Sequence, residues 1–260
     1  MTADLLDFRT ELASSQDDLL AAQALRYEVF VSELGADGSM VDHDRKIEQD
    51  RYDDHCDHLL LREAGTNRVV GVYRLMSQNA ADRAGGFYSA SEFDLSPLER
   101  SGKKLLELGR SCVHRDYRGG TAMLHLWSAL AGYIDSRGID ILFGVASFHG
   151  TDLDALSGPL SLLHHNHLAP TDLRPKAIGP TAVPMGRFDA HSLDRKAAML
   201  AVPQLIKAYL RLGGSVGEGA FVDHAFNTTD VCLVLDIAKM SPKQRKIYTR
   251  PTAANNASRL

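Results

Sequence analysis

Alternating and helical spacings of apolar residues divide the first third of the chain into short elements. Polar and apolar residues alternate over 7–13, which predicts a strand. Ser15 stands three residues before Asp18, a spacing that resembles a capping box with Asp in place of Glu, and the apolar residues that follow recur at helical spacing. We therefore expect a helix that ends at Gly35. The polar, acidic stretch 35–54 after it predicts a surface loop.

Two apolar runs, 58–63 and 69–76, flank the turn residues 65–67. The Gly-Thr-Asn sequence of that turn predicts a β-hairpin between the two runs. Residues 77–104 lack a regular hydrophobic period and contain breakers such as Gly85-Gly86, so we expect irregular structure there.

A strand–helix–strand unit is predicted in the middle of the chain. Residues 105–113 form an apolar strand pattern, and a short Arg/Gly turn leads into a helical pattern over 121–137 that Gly138 terminates. Residues 139–146 are again apolar and predict a strand. Such a unit predicts a parallel or splayed pair of strands in an α/β or α+β sheet.

The second half of the chain has weaker periodicity. In order, it predicts a helix over 151–168 interrupted near Gly158-Pro159, a long loop over 170–194, a short helix over 203–212, and strands near 219–222 and 231–237. The last twenty residues carry few apolar side chains. We therefore predict one domain over residues 1–240 and a flexible C-terminal tail over 241–260.

Composition and charge narrow the possible functions. The 260 residues are 44% hydrophobic and 24% charged, as in a globular enzyme, and the net charge of −4 gives no support to nucleic-acid binding. No run reaches the roughly 20 apolar residues of a membrane-spanning helix, and the N-terminal residues lack a signal-peptide pattern. The three cysteines lack metal-ligand spacing, so we expect reduced thiols in the cytoplasm. His164, His165 and His167 do not share one helical face, so we predict no metal site.

The strongest local signal is the strand 105–113 and the turn after it. Glu107 and Arg110 are unusual in an apolar strand unless they face a cleft or each other. Gly119 and Gly120 then precede a helix, where backbone N–H groups and the helix dipole favour a phosphate, and Arg118 adds a charge-assisted contact. The alternative is an ion pair that leads into an ordinary tight turn.

This strand, Arg-Gly-Gly loop and helix resemble the acyl-donor site of GNAT-fold N-acyltransferases. The resemblance is closer to the acyl-homoserine-lactone synthases. Their four motifs appear in order as Arg26-Tyr27-Glu28-Val29-Phe30, Glu48-Gln49-Asp50-Arg51-Tyr52-Asp53, Gly71-Val72-Tyr73-Arg74-Leu75 and Glu107-Leu108-Gly109-Arg110. The resemblance implies a GNAT-type acyl-CoA N-acyltransferase fold of the α/β (α+β) class, with a central mixed sheet flanked by helices.

The second half resembles the L-ornithine N-alpha-acyltransferases of bacterial lipid synthesis. The similar segments are 147–151, 203–213 and 223–230. This resemblance implies transfer of a 3-hydroxyacyl chain from acyl carrier protein to the α-amine of L-ornithine, which gives lyso-ornithine lipid. Thr121 and Met123 replace the small residues of the CoA phosphate loop, so the implied donor is the phosphopantetheine arm of a carrier protein, with no permanently bound cofactor.

The resemblance also implies roles for individual residues. Glu107 is the first candidate for the base that deprotonates the amine, with His149 as the alternative, and Arg110 completes the catalytic set. The implied substrate-binding residues are Arg26, Phe30, Asp50, Asp53, Arg74 and Ser111. The implied acyl-donor-binding residues are Val113, Arg115, Arg118, Gly119 and Gly120. A solvated acidic loop that pairs with Arg26 remains the structural alternative for the first group.

Two surfaces suggest partners. A basic set that would steer an acidic carrier protein is formed by Lys103, Lys104, Arg115 and Arg118, with scattered surface charge as the alternative. The region 196–211 combines basic and apolar residues, which suggests transient contact with the inner membrane face, with core packing as the alternative role of its apolar residues. Two other functions stay open: an acyl-homoserine-lactone-type synthase and a non-catalytic GNAT-fold module that binds acyl carriers or lipids.

Overall fold

The computed structural model describes residues 7–248, and these fall into two compact units. Unit 1 contains the residues up to Met76 together with Leu108–Gly138. Unit 2 contains Ser77–Glu107 and Ile139–Arg245. The single domain predicted over 1–240 stays a prediction.

Short strands and helices alternate along the described residues. The strands are β1 (Phe8–Leu12), β2 (Val41–Asp42), β3 (Ile47–Glu48), β4 (Asp57–Glu63), β5 (Val69–Ser77), β6 (Phe93–Asp94), β7 (Leu105–Val113), β8 (Ile141–His149), β9 (Lys176–Ala177), β10 (Ala182–Val183), β11 (Ser215–Val216), β12 (Ala220–Asp223) and β13 (Thr228–Asp236). The α-helices are α1 (Gln16–Arg26), α2 (Gln78–Ala84), α3 (Ser96–Glu99), α4 (Ala122–Arg137), α5 (Ser157–His167), α6 (Arg195–Ala201), α7 (Gln204–Arg211) and α8 (Pro242–Tyr248).

In unit 1 the strands follow the order β1-β4-β5-β7, and β4 pairs antiparallel with both β1 and β5. The predicted hairpin is therefore confirmed. Helix α1 starts with the predicted capping box, in which Ser15 and Asp18 bond each other's backbone N–H groups. Its apolar residues pack with Leu60 and Val72 of the sheet in one buried cluster.

Helix α1 continues into a π-helix over Tyr27–Glu33, which the hydrophobic pattern did not predict. The Leu34 N–H donates to the carbonyl of Val29, five residues earlier. Apolar spacing cannot distinguish one π turn from an α turn, because the two differ by a single residue. Such turns occur frequently at functional sites, and this one follows directly on Arg26.

In unit 2 the strand order is β7-β8-β13-β12-β10, with β11 paired to β13. Strands β7 and β8 are parallel, as predicted, and their ladder joins Leu105, Leu106 and Glu107 to Ile141, Leu142 and Phe143. Strand β13 pairs antiparallel with β8 over its whole length.

Several predicted elements differ in their limits. The helix predicted from 151 starts at Ser157, so Pro159 lies in the first turn, where a missing N–H is tolerated, and no interruption follows. Helices α2, α3 and α6 were not predicted, because four to seven residues carry too little periodicity. Helix α8 lies within the predicted tail 241–260, whose residues 249–260 are outside the described part. Among the described residues, no helix is long and apolar enough to cross a membrane.

Candidate active site

A buried ion-pair network lies in unit 1 and begins at Arg26. Its guanidinium donates to both Asp53 oxygens at 2.8 and 2.9 Å, to the Glu48 carboxylate, and to the Glu48 carbonyl at 2.8 Å. The Arg26 and Glu48 side chains are 0% exposed. This bidentate geometry is the strong form of an arginine–carboxylate pair.

Two further arginines extend the network. Arg74 donates to Asp50 at 2.6 Å and to Asp53 at 2.9 Å. Arg110 donates to Glu48 at 3.1 Å and to Asp50 at 3.0 Å. The structure thus brings together five of the sequence-predicted site residues, Arg26, Asp50, Asp53, Arg74 and Arg110. Their roles in catalysis and ornithine binding stay predictions.

The prediction that the whole acidic stretch 35–54 lies on the surface is wrong. Glu48 and Asp53 are buried, and the hairpin β2-β3 carries Glu48 into the network. Burial of carboxylates is costly unless charged partners surround them, and here three arginines from other elements do so. Each arginine lies 21 to 62 residues along the chain from the carboxylate with which it pairs, so a local sequence pattern cannot reveal the contact.

The arginines keep the network carboxylates ionised. Burial by itself would raise the pKa of Asp53, but the adjacent Arg26 and Arg74 guanidiniums hold it well below its usual value. Burial opposes ionisation of Asp50 as well, and Arg74 with Arg110 lowers its pKa. The pKa of Arg74 is raised, because Asp50 and Asp53 outweigh its burial.

These shifts predict an acid-sensitive fold. A carboxyl group whose pKa is lowered on folding stabilises the protein fully above its unfolded pKa of about 4, and the stabilisation is lost as the pH falls through the folded value. We expect the free energy of unfolding, measured with urea from pH 6 to pH 2.5, to fall steeply below pH 4. Asp53→Asn should flatten this dependence, whereas Asp17→Asn, which alters an exposed carboxyl group, should not. Equal slopes in both variants would contradict the account.

Strand β7 departs from extended geometry at Arg110. Arg110 has φ +50°, in the left-handed region that non-glycine residues rarely occupy. Such backbone costs about 1–3 kcal/mol and concentrates at functional sites. Strand β7 is therefore locally irregular directly before Ser111.

Glu107 is held by a turn in unit 2 that was not predicted. Its carboxylate accepts from the Tyr88 N–H at 2.8 Å, from the Ser89 N–H at 2.7 Å, and from the Ser89 hydroxyl. The side chain is buried. Three donors hold the carboxylate in one orientation, which suits either a fixed base or a brace for the turn.

His149 lies far from Glu107 on the same sheet. Glu107 pairs in register with Phe143 of β8, and His149 is six residues further along that strand. Six residues of extended strand span about 20 Å. The exposed His149 and the buried Glu107 are therefore too far apart to act on the same bound amine. Only one of the two can be the base.

The predicted donor loop is braced by its arginine. Arg118 donates through Nε to the Val113 carbonyl at 2.8 Å and pairs its guanidinium with both Glu33 oxygens. Arg115 lies 3.8 Å from the same carboxylate. Glu33 thus offsets part of the charge of Arg115 and Arg118, and the hydrogen bond from Arg118 lowers the pKa of Glu33. Lys103 likewise pairs with Asp236 at 2.9 Å, so the basic set is weaker than its sequence suggests.

Helix α4 follows this loop and starts without a side-chain cap. Thr121, at the cap position, makes no capping hydrogen bond through its side chain. The first N–H groups of a helix need partners, and phosphate oxygens can supply them. Gly119, with φ +79°, turns the chain into this position.

The turn predicts different effects for two adjacent glycines. A Cβ at Gly119 or Gly120 would meet no atom within 4 Å, but only Gly119 has a left-handed φ. We expect Gly119→Ala to lower the free energy of unfolding by about 1–2 kcal/mol through backbone strain. Gly120→Ala is the matched control and should leave it nearly unchanged in the same urea titration. A loss of equal size in both variants would show that φ is not the cause.

Cys112 does not suit a covalent mechanism. It is buried, and burial raises the pKa of its thiol to about 12, despite the opposing charge of Arg26. The thiolate is the nucleophilic form, so this side chain is unreactive near neutral pH. A structural role fits its position in the cluster of Leu60 and Val72.

Other polar groups were not predicted from the sequence. His114 is buried beside Glu28, with 2.7 Å between Nε2 and a carboxylate oxygen. In unit 2, Glu92, Asp223 and Asp230 have carboxylate oxygens within 4.8 Å of one another, and such a cluster of negative charges favours cations over anions.

Phe30, a predicted substrate-binding residue, packs against the buried cluster of helix α1.

Comparison with known proteins identifies similar chains. A family model described as an acetyltransferase (GNAT) domain matches residues 25–128. The L-ornithine N(alpha)-acyltransferase of Rhodobacter capsulatus is 53% identical over 255 residues, which cover 96% of this chain and 98% of the relative. The protein of the same name from Brucella abortus is 39% identical and covers 91% of this chain and 87% of the relative.

Among solved structures, a CoA-dependent acyl-homoserine lactone synthase, BjaI, aligns with a TM-score of 0.52. The alignment covers 93% of this chain and 88% of the synthase at 17% identity. An identity this low supports the fold alone. The predicted GNAT-type fold, with a mixed sheet and flanking helices, is confirmed.

Proposed function

This chain belongs to the L-ornithine N(alpha)-acyltransferase family, and we propose that it transfers an acyl chain to the α-amine of L-ornithine. Its membership makes it an acyltransferase. The observation that carries the proposal is 53% identity extending over 98% of a relative of that name. We further propose that the donor is a 3-hydroxyacyl group on the phosphopantetheine arm of acyl carrier protein and that the product is lyso-ornithine lipid.

The proposed reaction is a direct transfer. The amine nitrogen attacks the thioester carbonyl, the C–S bond breaks, and the phosphopantetheine thiol leaves as the amide forms. An α-amine is largely protonated at neutral pH, so a base has to take its proton. Glu107 is the proposed base, acting directly or through a water molecule, because its carboxylate is held in one orientation. The raised pKa of the Cys112 thiol favours this route over an acyl-enzyme.

The donor proposal rests on the loop before α4. Gly119 and the uncapped start of the helix offer N–H groups to the phosphate of a phosphopantetheine arm. Thr121 and Met123 occupy positions where a CoA phosphate loop has small residues. The second feature favours the short arm of a carrier protein over CoA.

Mass spectrometry of a defined reaction tests the proposal. Purified protein is incubated with 3-hydroxyacyl carrier protein, or with the matching CoA thioester, and with ornithine, lysine or 2,4-diaminobutyrate in separate tubes. We expect N-acyl-ornithine from the carrier protein. An equal rate with the CoA thioester would overturn the donor proposal only. Donor binding without product from any amine would support a non-catalytic module instead.

A further inference from the structure

Two large apolar side chains protrude from unit 2. Leu200 on α6 is 72% exposed, and Phe188 in the preceding loop is 49% exposed. Isolated exposed apolar residues are common on proteins. A cluster of them rimmed by charges of one sign marks an interaction surface.

Both residues lie beside one face of α5. A Cβ built on Gly158 would lie 3.9 Å from the Cβ of Ala198 in α6. The Ser161 hydroxyl accepts from the Phe188 N–H at 3.0 Å. Gly158 and Ser161 are three residues apart on a helix, so they lie on one face about one turn apart. Phe188 and α6 therefore belong to the same region, which we call the α6 surface.

The α6 surface is basic although the chain is acidic. The chain has a net charge of −4, but residues 195–217 contain no Asp or Glu and carry Arg195, Lys196, Lys207 and Arg211. Lys196 is exposed and stands four residues before Leu200, on the same helical face. The Lys207 ammonium donates to the Leu200 carbonyl at 2.9 Å, so a second positive charge lies beside this leucine.

The nearest acidic residues do not cancel this charge. Arg187 pairs with Asp154 at 2.8 Å, and between 188 and 217 two acidic residues, Asp189 and Asp194, stand against four basic ones. Asp194 caps α6 through the Lys196 and Ala197 N–H groups. On α7, by contrast, Ile206 and Tyr209 are buried, so the apolar face of that helix packs into the core, as the structural alternative for 196–211 expected.

We propose that the α6 surface docks the protein onto an anionic phospholipid bilayer. Leu200 and Phe188 enter the headgroup region, and Arg195, Lys196 and Lys207 face the lipid phosphates. A bilayer fits this combination, because the apolar side chains can enter its headgroup region while the basic side chains meet its phosphates. One supporting reason rests on the proposed function: an acylated ornithine is an amphiphile and partitions into a membrane when released.

Vesicle flotation tests the proposal without any substrate, so its result is independent of the proposed reaction. We expect the protein to float with phosphatidylcholine–phosphatidylglycerol vesicles and to remain below phosphatidylcholine vesicles. Each basic residue near an anionic surface contributes roughly fivefold to binding, so Arg195→Gln/Lys196→Gln should weaken partitioning about 25-fold. Leu200→Ser should weaken it about fivefold through lost apolar burial.

Two control variants test whether a loss of vesicle binding is specific to the α6 surface. Arg83→Gln/Arg100→Gln removes two exposed positive charges elsewhere in unit 2, and Leu12→Ser replaces an apolar residue of unit 1 that is 37% exposed. Both should float like the unaltered protein. Failure of the unaltered protein to float, or equal losses in these controls, would overturn the proposal. So would variants that keep vesicle binding but lose binding to acyl carrier protein, since the surface would then serve a protein partner.

Discussion

Arg26→Gln is expected to lower the free energy of unfolding by about 3–5 kcal/mol, because it leaves Glu48 and Asp53 buried without their main counter-charge. Small proteins are stable by about 5–15 kcal/mol in total, so this single change removes a large share. The effect exceeds the value of the ion pair itself. It is the cost of an uncompensated charge inside the protein.

Urea unfolding at pH 7 measures this effect, with Arg9→Gln as the control. Arg9 also pairs with a carboxylate, Glu11, but its side chain is 58% exposed, and a surface pair of this kind contributes about 0–1 kcal/mol. Asp53→Asn should lower the free energy of unfolding less when it is added to Arg26→Gln than when it is made alone, since the two groups interact directly. A loss below about 1 kcal/mol for Arg26→Gln would mean that the network does not stabilise the fold.

Glu107→Ala is expected to reduce N-acyl-ornithine formation about 100-fold or more while the protein stays folded. General-base catalysis typically contributes 10²–10⁴-fold, and the alanine variant also releases the Tyr88–Ser89 turn. The measurement is the initial rate of product formation, with circular dichroism as the check on folding. Glu99→Ala, which removes an exposed carboxylate of unit 2, is the matched control and should keep full activity.

Glu107→Gln distinguishes a role of Glu107 as the base from a role in holding the Tyr88–Ser89 turn. Glutamine keeps the length of the side chain and can still accept a hydrogen bond from the turn, but it cannot take a proton. A base predicts that Glu107→Gln is as inactive as Glu107→Ala and loses the acid limb of the rate–pH profile. Recovery of most activity in Glu107→Gln, with an unchanged profile, would assign Glu107 to holding the turn and make His149 the base to test.

The regular elements that build the sheet could be predicted from local pattern. Alternation and turn chemistry predicted the hairpin β4-β5, and the Ser15–Asp18 spacing predicted the start of α1. These features depend on neighbours within a few residues. The central strand 105–113 was predicted at its observed limits for the same reason.

The site contacts could not be predicted, because they join residues that are distant in the chain. Arg110 reaches Glu48 across 62 positions, and no periodicity signals that pairing. The family motifs pointed to both residues but not to their burial together. The Tyr88–Ser89 turn that holds Glu107 lies in a segment predicted to be irregular. Exposure of Leu200 likewise follows from packing of α6 on α5, which sequence alone does not reveal.

Isotope labelling of ornithine shows which of its two nitrogens is acylated. Purified protein would receive 3-hydroxyacyl carrier protein and L-ornithine carrying ¹⁵N only at the side-chain nitrogen, and the product would be fragmented in a mass spectrometer. We expect an acyl amide on the unlabelled α-nitrogen and a free labelled side-chain amine. An acyl chain on the labelled nitrogen, or no acylated ornithine at all, would contradict it.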